Sequence, residues 1–311
     1  MLIVFNPAAG SRRRRRLARA LGTLAEAGIL ARVAETLHPG HATLLARGAA
    51  GEGIGVVVAA GGDGTIAEVA AGLAGSAARL GILPFGTANV LAWELGLPPR
   101  PEAAAAVLSG GQARRLWPGL ARFADGSERL FVQMLGAGFD AEVVARLDPG
   151  LKRRIGRGAY VLQGMRELGR YRFPRFNAVL DGQAEEVVSA IVSKGRLYAG
   201  RYLLAPAARP GEAGFEVVLF RGGAMGARLQ AALCGAALPL DLLPRMPGVE
   251  LRRAWRVELR DGPMAGYAAG SIGRTVPVQA DGDPAGMLPV MLESAAGPIE
   301  VMLPCARVAE R

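Results

Sequence analysis

Two glycine turns and three carboxylates carry most of the chemistry this sequence could do. Gly61-Gly62-Asp63-Gly64-Thr65 follows the apolar run Val56–Ala60 and precedes Ile66, Val69 and Leu73 at helical spacing. That order reads as strand, turn, helix. Glycines let a ligand come close to the backbone, and the free N–H groups of a helix start suit phosphate. Asp63 places a carboxylate where a phosphate would sit, which makes sense beside a divalent cation or as a hydrogen-bond partner of a nucleotide. A lone turn of this kind is often no more than a tight connection. Gly81–Asn89 (GILPFGTAN) repeats the design and leads into a second helix over Val90–Leu95, stopped by Gly96. The other two carboxylates flank Gly282 in Val278–Pro284 (VQADGDP). Asp-Gly is a hairpin turn by default, and Asp125-Gly126, Asp181-Gly182 and Asp261-Gly262 are three more candidates.

The elements that must position these residues follow from periodicity. Leu2–Phe5 reads as a strand ended by Asn6-Pro7, and AAGS leads into Arg12–Arg16 and a helix with Leu17, Leu21 and Leu24 on one face. Five arginines oppose the dipole of a helix start, so they are expected to be solvated or to meet an anion. Arg32–Thr36 reads as a strand, and His41–Ala50 and Pro101–Leu108 as helices. Strands alternating with helices predict a doubly wound, Rossmann-like parallel sheet. Ligands on such sheets sit outside the carboxyl ends of the strands, where both glycine turns fall.

The pattern changes at Trp117-Pro118-Gly119. Leu120–Phe123 and Arg129–Leu135 read as a hairpin around Asp125-Gly126, and Gly136–Asp140 opens a helix with Val143, Val144 and Leu147. Leu151–Tyr171 is a basic amphipathic helical stretch with Lys152, Arg153, Arg154, Arg157, Arg166 and Arg170. Such a stretch is a solvated face or lies on an anionic bilayer. Strands then dominate: Asn177–Leu180, Val187–Val192, Tyr202–Leu204, Phe215–Phe220, Val249–Leu259, Val276–Gln279, Met287–Leu292 and Ile299–Leu303, with one helix near Ala224–Cys234. Strands with hairpin turns predict a β-sandwich. The expected domains are 1–118 and 119–295, with 296–311 returning to the first.

The 311 residues carry a net charge of +10, nearly all of it from arginine. The excess points to an anionic partner: nucleic acid, membrane surface or phosphorylated ligand. Aromatics are not interleaved with the basic residues as a single-strand binder needs, and no zinc-finger or RNA-recognition signature is present, so nucleic acid is not expected. Cys234 and Cys305 read as small buried hydrophobes in a reducing compartment. His38 and His41 read as decorating a loop or helix start. Met1 runs straight into a strand, and no apolar run reaches the roughly 18 residues a membrane span needs, so a cytoplasmic protein with peripheral membrane contact is expected.

GGDGT, LPFGTAN and the opening IVFNPAAG together resemble the diacylglycerol kinase catalytic-domain family, which also holds sphingosine, ceramide and bacterial lipid kinases. The resemblance covers most of the chain. It implies a Rossmann-like first domain, a β-sandwich second domain, ATP with Mg2+, and transfer of phosphate to a lipid hydroxyl, most simply that of diacylglycerol. It assigns Asn6, Gly61, Gly62, Asp63, Gly64, Thr65, Gly86, Thr87 and Asn89 to the nucleotide, with magnesium at Asp63 and Asp283. Asp140 becomes a headgroup contact, although a helix N-cap reads equally well. The family carries Asp-Gly-Glu near its C-terminus. Here Asp283 replaces the glutamate, which leaves open whether Asp281 or Asp283 is the base; Asp281 is the expected one. Bacterial relatives hold a structural magnesium in an aspartate-rich segment that corresponds to Ala205–Gly214, where this chain offers only Glu212. A homodimer is also implied.

Rival readings are weaker. NAD kinases share the GGDGT turn but add an Asn-Asp/Glu element, whereas Asn6, Asn89 and Asn177 are followed by Pro, Val and Ala. No GxxxxGK[ST] exists, because Lys152 and Lys194 precede Arg and Gly. AAGS is not the dinucleotide fingerprint GxGxxG. Sphingoid-base or ceramide kinase, and a non-catalytic lipid-binding protein on the same fold, remain as alternatives.

Overall fold

The structure is a computed structural model that describes residues 1–7, 11–156, 158–222, 226–262 and 276–305. The predicted turn residues 8–10, Arg157, the helix start at Ala224 and the chain end from 306 lie outside the described residues, as do the side chains of Arg12, Lys152 and Arg153.

Apolar runs bounded by turn residues give the first elements: β1 (Leu2–Phe5), α1 (Ser11–Glu26), β2 (Arg32–Glu35), α2 (His41–Gly51), β3 (Val56–Gly61), α3 (Asp63–Leu73), β4 (Arg79–Pro84), α4 (Val90–Glu94), α5 (Pro101–Gly110) and β5 (Gln112–Leu116). The second group is β6 (Gly119–Phe123), β7 (Glu128–Phe131), β8 (Met134–Gly138), α6 (Phe139–Ala145), α7 (Pro149–Ile155), α8 (Gly158–Arg170), β9 (Phe176–Leu180), β10 (Gln183–Val187), β11 (Ser189–Ser193), β12 (Leu197–Tyr198), β13 (Tyr202–Leu203), β14 (Phe215–Phe220), α9 (Ala227–Ala237), β15 (Val249–Ala254), β16 (Arg256–Asp261), β17 (Pro277–Ala280), β18 (Asp283–Met287) and β19 (Val290–Ser294). Finally β20 (Ile299–Leu303) joins the first sheet. The chain divides into Met1–Leu116 with Ala296–Arg311, and Trp117–Ala295.

In the first unit the sheet order is β2-β1-β3-β4-β20-β5, parallel except for β5 against β20. α1 and α5 pack together over Ile3, Phe5, Val58, Ala60 and Leu83. Alternation puts Val4, Val57 and Ala59 on the other face, where they are equally buried and where α2 and α3 pair. Both faces are covered, as a doubly wound sheet requires.

The second unit is a sandwich of two six-stranded sheets, β10-β9-β16-β19-β6-β7 and β15-β14-β11-β8-β17-β18. Phe131, Phe176, Phe215, Val217, Val257, Leu259 and Leu292 fill the space between them. Four segments that the sequence reads as single strands, or as the neighbourhood of one, each split across the two sheets. The breaks fall at Val132-Gln133 (β7 to β8), Val188 (β10 to β11), Trp255 (β15 to β16) and Leu288-Pro289 (β18 to β19). A switch takes the chain off both ladders, so its N–H groups need other acceptors. Val188 N–H donates to Phe220 O and Leu288 N–H to Val276 O. Trp255 and Arg256 donate to the Asp181 carboxylate. The first switch uses Asp281, described below. Two smaller readings also change: the basic stretch is two helices, α7 and α8, and Cys305 is exposed while Cys234 is buried. His38 and His41 stack at 5.0 Å on the exposed entry to α2.

Candidate functional site

Gly62 is the single residue between β3 and α3, extended at φ −96°. The second turn, Phe85–Asn89, joins β4 to α4. The two turns meet backbone to backbone. A Cβ built on Gly86 would stand 2.4 Å from Gly62 Cα and 2.7 Å from Asn89 Oδ1. Close approach of two main chains is what demands glycine at 86. The first helical bond of α3 runs from Ile66 N–H to Gly62 O, so the amides ahead of it lack an intrahelical acceptor.

Asp63 stands at the first turn of α3, and its carboxylate turns to the start of α4. It accepts Leu91 N–H at 3.3 Å, with the Val90 and Asn89 amides also directed at it. Burial outweighs these donors and pushes its pKa up to about 6. Asn89 sits at φ 50° and donates through Nδ2 to Gly86 O (2.9 Å) and Pro84 O (3.3 Å). Its Oδ1 is buried with no partner. A buried lone acceptor beside a glycine cradle invites a donor from a ligand, such as a sugar hydroxyl or a metal-bound water.

Thr65 and Thr87 sit in different surroundings. Thr65 is buried, and its hydroxyl accepts from Asn6 Nδ2 at 3.1 Å. That bond ties the end of β1 to α3 and uses the Thr65 hydroxyl as an acceptor, which leaves its own proton free to be donated. Thr87 is exposed at the tip of the second turn. Of the arginine run, Arg15 is exposed, while Arg13, Arg14 and Arg16 meet acceptors. Arg13 reaches Asn6 O (3.3 Å), and burial lowers its pKa. Arg14 pairs with Glu35 at 2.6 Å. Arg16 donates to Pro84 O and Pro99 O while covering the Phe85 ring at 4.7 Å.

In the second unit Asp281 and Gly282 form the β17–β18 turn at φ 50° and φ 84°, a two-residue hairpin geometry. The Asp281 carboxylate is buried and accepts three main-chain N–H groups, from Val132 (2.8 Å), Gln133 (2.8 Å) and Met134 (3.0 Å). These are the donors freed by the β7 to β8 switch. Asp281 therefore does for one switch what Asp181 does for another. Both of its oxygens are therefore engaged by the main chain at this switch. Asp283, next in the turn, is half-buried and makes no side-chain hydrogen bond among the described residues.

Asp140 is likewise committed. One oxygen accepts the Tyr198 hydroxyl and the other accepts Gln279 Nε2 at 2.8 Å. Burial raises its pKa, and the Tyr198 hydroxyl is raised as well, by burial and then by Asp140. It accepts none of its own helix amides, so it is a buttress rather than a cap. Gln279 passes the link on: its Oε1 accepts Gly282 N–H at 2.8 Å. A chain Tyr198–Asp140–Gln279–Gly282 thus fixes the turn that carries Asp283.

A family model described as the diacylglycerol kinase catalytic domain matches residues 1–120. A second, described as a YegS C-terminal NAD kinase beta sandwich-like domain, matches residues 133–303, more than half the chain. The chain belongs to the diacylglycerol kinase catalytic-domain family. Within it, a Chromohalobacter salexigens protein named "Probable lipid kinase YegS-like" is 34% identical over 65% of this chain and 65% of its own. A protein of the same name from Xanthomonas euvesicatoria pv. vesicatoria is 36% identical over 62% and 64%. The match spans just under two thirds of the length of these curated relatives. Among solved structures, a diacylglycerol kinase from Bacillus anthracis str. Sterne superposes with a TM-score of 0.68 at 17% identity, covering 97% of this chain and 96% of that one. A second structure from that strain reaches 0.75 at 19%, covering 97% and 94%. At such identity the likeness shows the fold.

The family's two kinds of metal fit this chain unequally. Asp63 and Asp283 are carboxylates on a glycine turn and a hairpin turn, and no group of three metal-ligating side chains occurs among the described residues. That suits an ion carried in by a nucleotide, since magnesium keeps most of its ligands as water and phosphate. The structural magnesium does not fit. Glu212 is half-exposed and engages Arg253 (3.2 Å) and Arg209 (3.7 Å). Sequence reasoning missed Glu68, which accepts Gly40 N–H and Ala42 N–H and so caps α2 from α3. It also missed Tyr198, Gln279 and Lys194. Only long-range pairing reveals these four.

Proposed function

We propose that this protein is an ATP-dependent lipid kinase that phosphorylates a hydroxyl of a lipid acceptor, diacylglycerol to phosphatidic acid being the simplest case. The observation that carries the reading is the abutting pair of glycine turns in the first unit, with Asp63 bridging them and the unpaired Asn89 Oδ1 beside them. Phosphoryl transfer asks the protein mainly for placement and charge neutralisation. The main chain of Gly62, Gly64, Thr65 and Gly86 cradles the nucleotide phosphates. Asp63 holds the second turn in place and faces the nucleotide with the one carboxylate of the two turns. Magnesium, bound with ATP, neutralises the phosphate oxygens. Asp283 is the carboxylate assigned to take the proton of the lipid hydroxyl; in the transfer that oxygen would bond to phosphorus as the bond to ADP breaks. The Tyr198–Asp140–Gln279 chain keeps the Asp283 turn from moving.

The lipid side of the reading rests on α8, whose amphipathicity is inverted. Its buried face is Ala159, Gln163 and Glu167, the last two hydrogen-bonded to each other at 2.8 Å. Val161 and Met165 point outward, each 66% exposed, and Arg166 and Arg170 flank them. A helix that hides its polar side and shows its apolar one is built to meet something apolar. An open groove of about 580 Å³ lies in the same unit, with Tyr171, Phe173, Val188 and Leu229 as its apolar wall and Arg172, Arg175 and Arg228 at its edge. That mixture suits an anionic lipid surface. No helix among the described residues is long and apolar enough to cross a membrane, so the contact is peripheral.

The test is ATP consumption by the purified protein with magnesium, against diacylglycerol, sphingoid bases, ceramide and phosphatidylglycerol in mixed micelles. Turnover with one acceptor establishes the class and substrate. Vesicle binding with no turnover on any acceptor would leave a non-catalytic lipid-binding protein. A separate expectation concerns α8: the double variant Val161→Asp, Met165→Asp should lose binding to anionic vesicles by roughly tenfold or more. Its urea midpoint should hold, because exposed positions carry little stability. Unchanged cosedimentation would remove α8 from the membrane surface.

A further inference from the structure

The structure assigns the cation of the Ala205–Gly214 loop to the chain itself: the ammonium of Lys194 binds the main chain at the end of that loop, at Glu212 and Gly214, and makes a structural divalent ion there unnecessary. Lys194 is 1% exposed, the kind of burial a lysine shows only when its charge is met. Nζ donates to Glu212 O at 2.6 Å and to Gly214 O at 2.8 Å, and it lies 5.3 Å from the centre of the Phe215 ring. Both acceptors are main-chain carbonyls, and they flank Ala213 in the loop. The Glu212 side chain, the one carboxylate in this loop, turns away to Arg253 and Arg209.

These contacts suit an ammonium and exclude a divalent ion. The distances are those of charged N–H···O hydrogen bonds. Magnesium needs oxygens at about 2.1 Å in a nearly complete octahedron. Two carbonyls already engaged by an ammonium offer neither the ligand number nor the sign. A tethered cation also brings an advantage over a bound one. It does not dissociate, so the loop keeps its shape whatever the free metal concentration.

The loop is worth holding. Leu204 and Ala205 N–H donate to Arg196 O, and the Glu216 carboxylate accepts Ala207 N–H at 2.7 Å. The loop is thereby laid along the segment 194–198, which ends in Tyr198, the residue that buttresses Asp140. Lys194 is a positioning residue four places before it. This inference rests on the loop geometry and not on the identity of the lipid acceptor.

The experiment uses the full chain without nucleotide. Amide hydrogen exchange over residues 204–216 and the thermal midpoint are measured in excess EDTA, in magnesium and in manganese, and the metal content of the purified protein is determined. Protection of 204–216 is expected to be the same in all three conditions, with no stoichiometric metal retained. In Lys194→Met, which keeps the length and removes the charge, exchange in that segment should rise by about tenfold or more, while protection of β1 and β3 stays as it was. Loss of protection in EDTA, a gain there on adding manganese, or an unchanged loop in Lys194→Met would each overturn the assignment. Should Lys194→Met fail to fold, the metal content and EDTA response of the unaltered protein still decide the question.

Discussion

Asp283→Asn should abolish most of the lipid kinase turnover and leave stability alone, whereas Asp281→Asn should do the reverse at root. The two carboxylates sit two residues apart in one turn and are chemically identical, so only their surroundings separate them. Asp283 makes no side-chain hydrogen bond among the described residues. Removing its charge strands no donor, and the urea midpoint should stay within about 0.5 kcal/mol of the parent. Its loss as proton acceptor should cost about 10²–10⁴ in kcat. Asp281 holds the amides of Val132, Gln133 and Met134 at the β7 to β8 switch. An asparagine there keeps one acceptor oxygen and points an NH2 group at main-chain donors. Each buried donor left unmet costs about 1–3 kcal/mol, so Asp281→Asn should lose on the order of 3 kcal/mol, and any loss of kcat should follow unfolding. Urea titration and initial rates on both variants, measured where each is folded, separate the roles. Equal stability losses, or a fully active Asp283→Asn, would return the base to Asp281.

The first unit was largely legible because its elements announce their ends. Asn6-Pro7, Gly61-Gly62 and Gly96 interrupt clean periodicities, and most observed strands and helices lie within a residue or two of their predicted ranges; α1 is longer, α3 starts three residues earlier, and β5, an edge strand of mixed polarity, was not predicted. The second unit was legible as a sandwich but not in its strands. A sheet switch such as Val188 or Trp255 takes a single ordinary residue off the ladder, with no turn signal, so Val187 with β11 and β15 with β16 read as continuous. What covers the freed amides is remote: Phe220 O, Asp181 and Asp281 lie from about 30 to 150 residues away. The site failed in the same way. Nothing local distinguishes Asp281 from Asp283, or marks Asp140 as the partner of Tyr198. The arginine run was expected to be solvated or to meet an anion; that the anion is Glu35, and that Arg16 turns to the Pro84 and Pro99 carbonyls, was not legible because these come from other elements. Lys194 ends an apolar strand, and a local reading has no reason to bury its ammonium.

Asp63→Asn should cost activity and at the same time steady the fold, and the sign of the second effect follows from its raised pKa. The unfolded chain ionises this carboxyl near the ordinary aspartate value of 3.8, the folded one at about 6. Between those values the folded state binds more protons, so stability falls as pH rises through that window, and the full cost persists above it. At about 1.4 kcal/mol per pK unit, ionisation costs on the order of 3 kcal/mol. The donors that meet Asp63 are main-chain amides at the start of α4, and a carboxamide oxygen would accept from them as well as a carboxylate. Hydrogen bonding alone therefore does not explain an aspartate at this position. A negative charge is worth its cost where positive charge arrives, and in the proposed reaction that is the magnesium of the nucleotide. Three results are expected. Asp63→Asn unfolds at an equal or higher midpoint than the parent at pH 8, and the difference closes as pH falls toward 4. The parent shows an acid limb near pH 6 in kcat/KM for ATP, which the variant lacks. The variant's kcat/KM falls by about 10²-fold or more at pH 8. A variant that is less stable at pH 8 yet fully active would make Asp63 a simple helix cap, and the charge argument would fail with it.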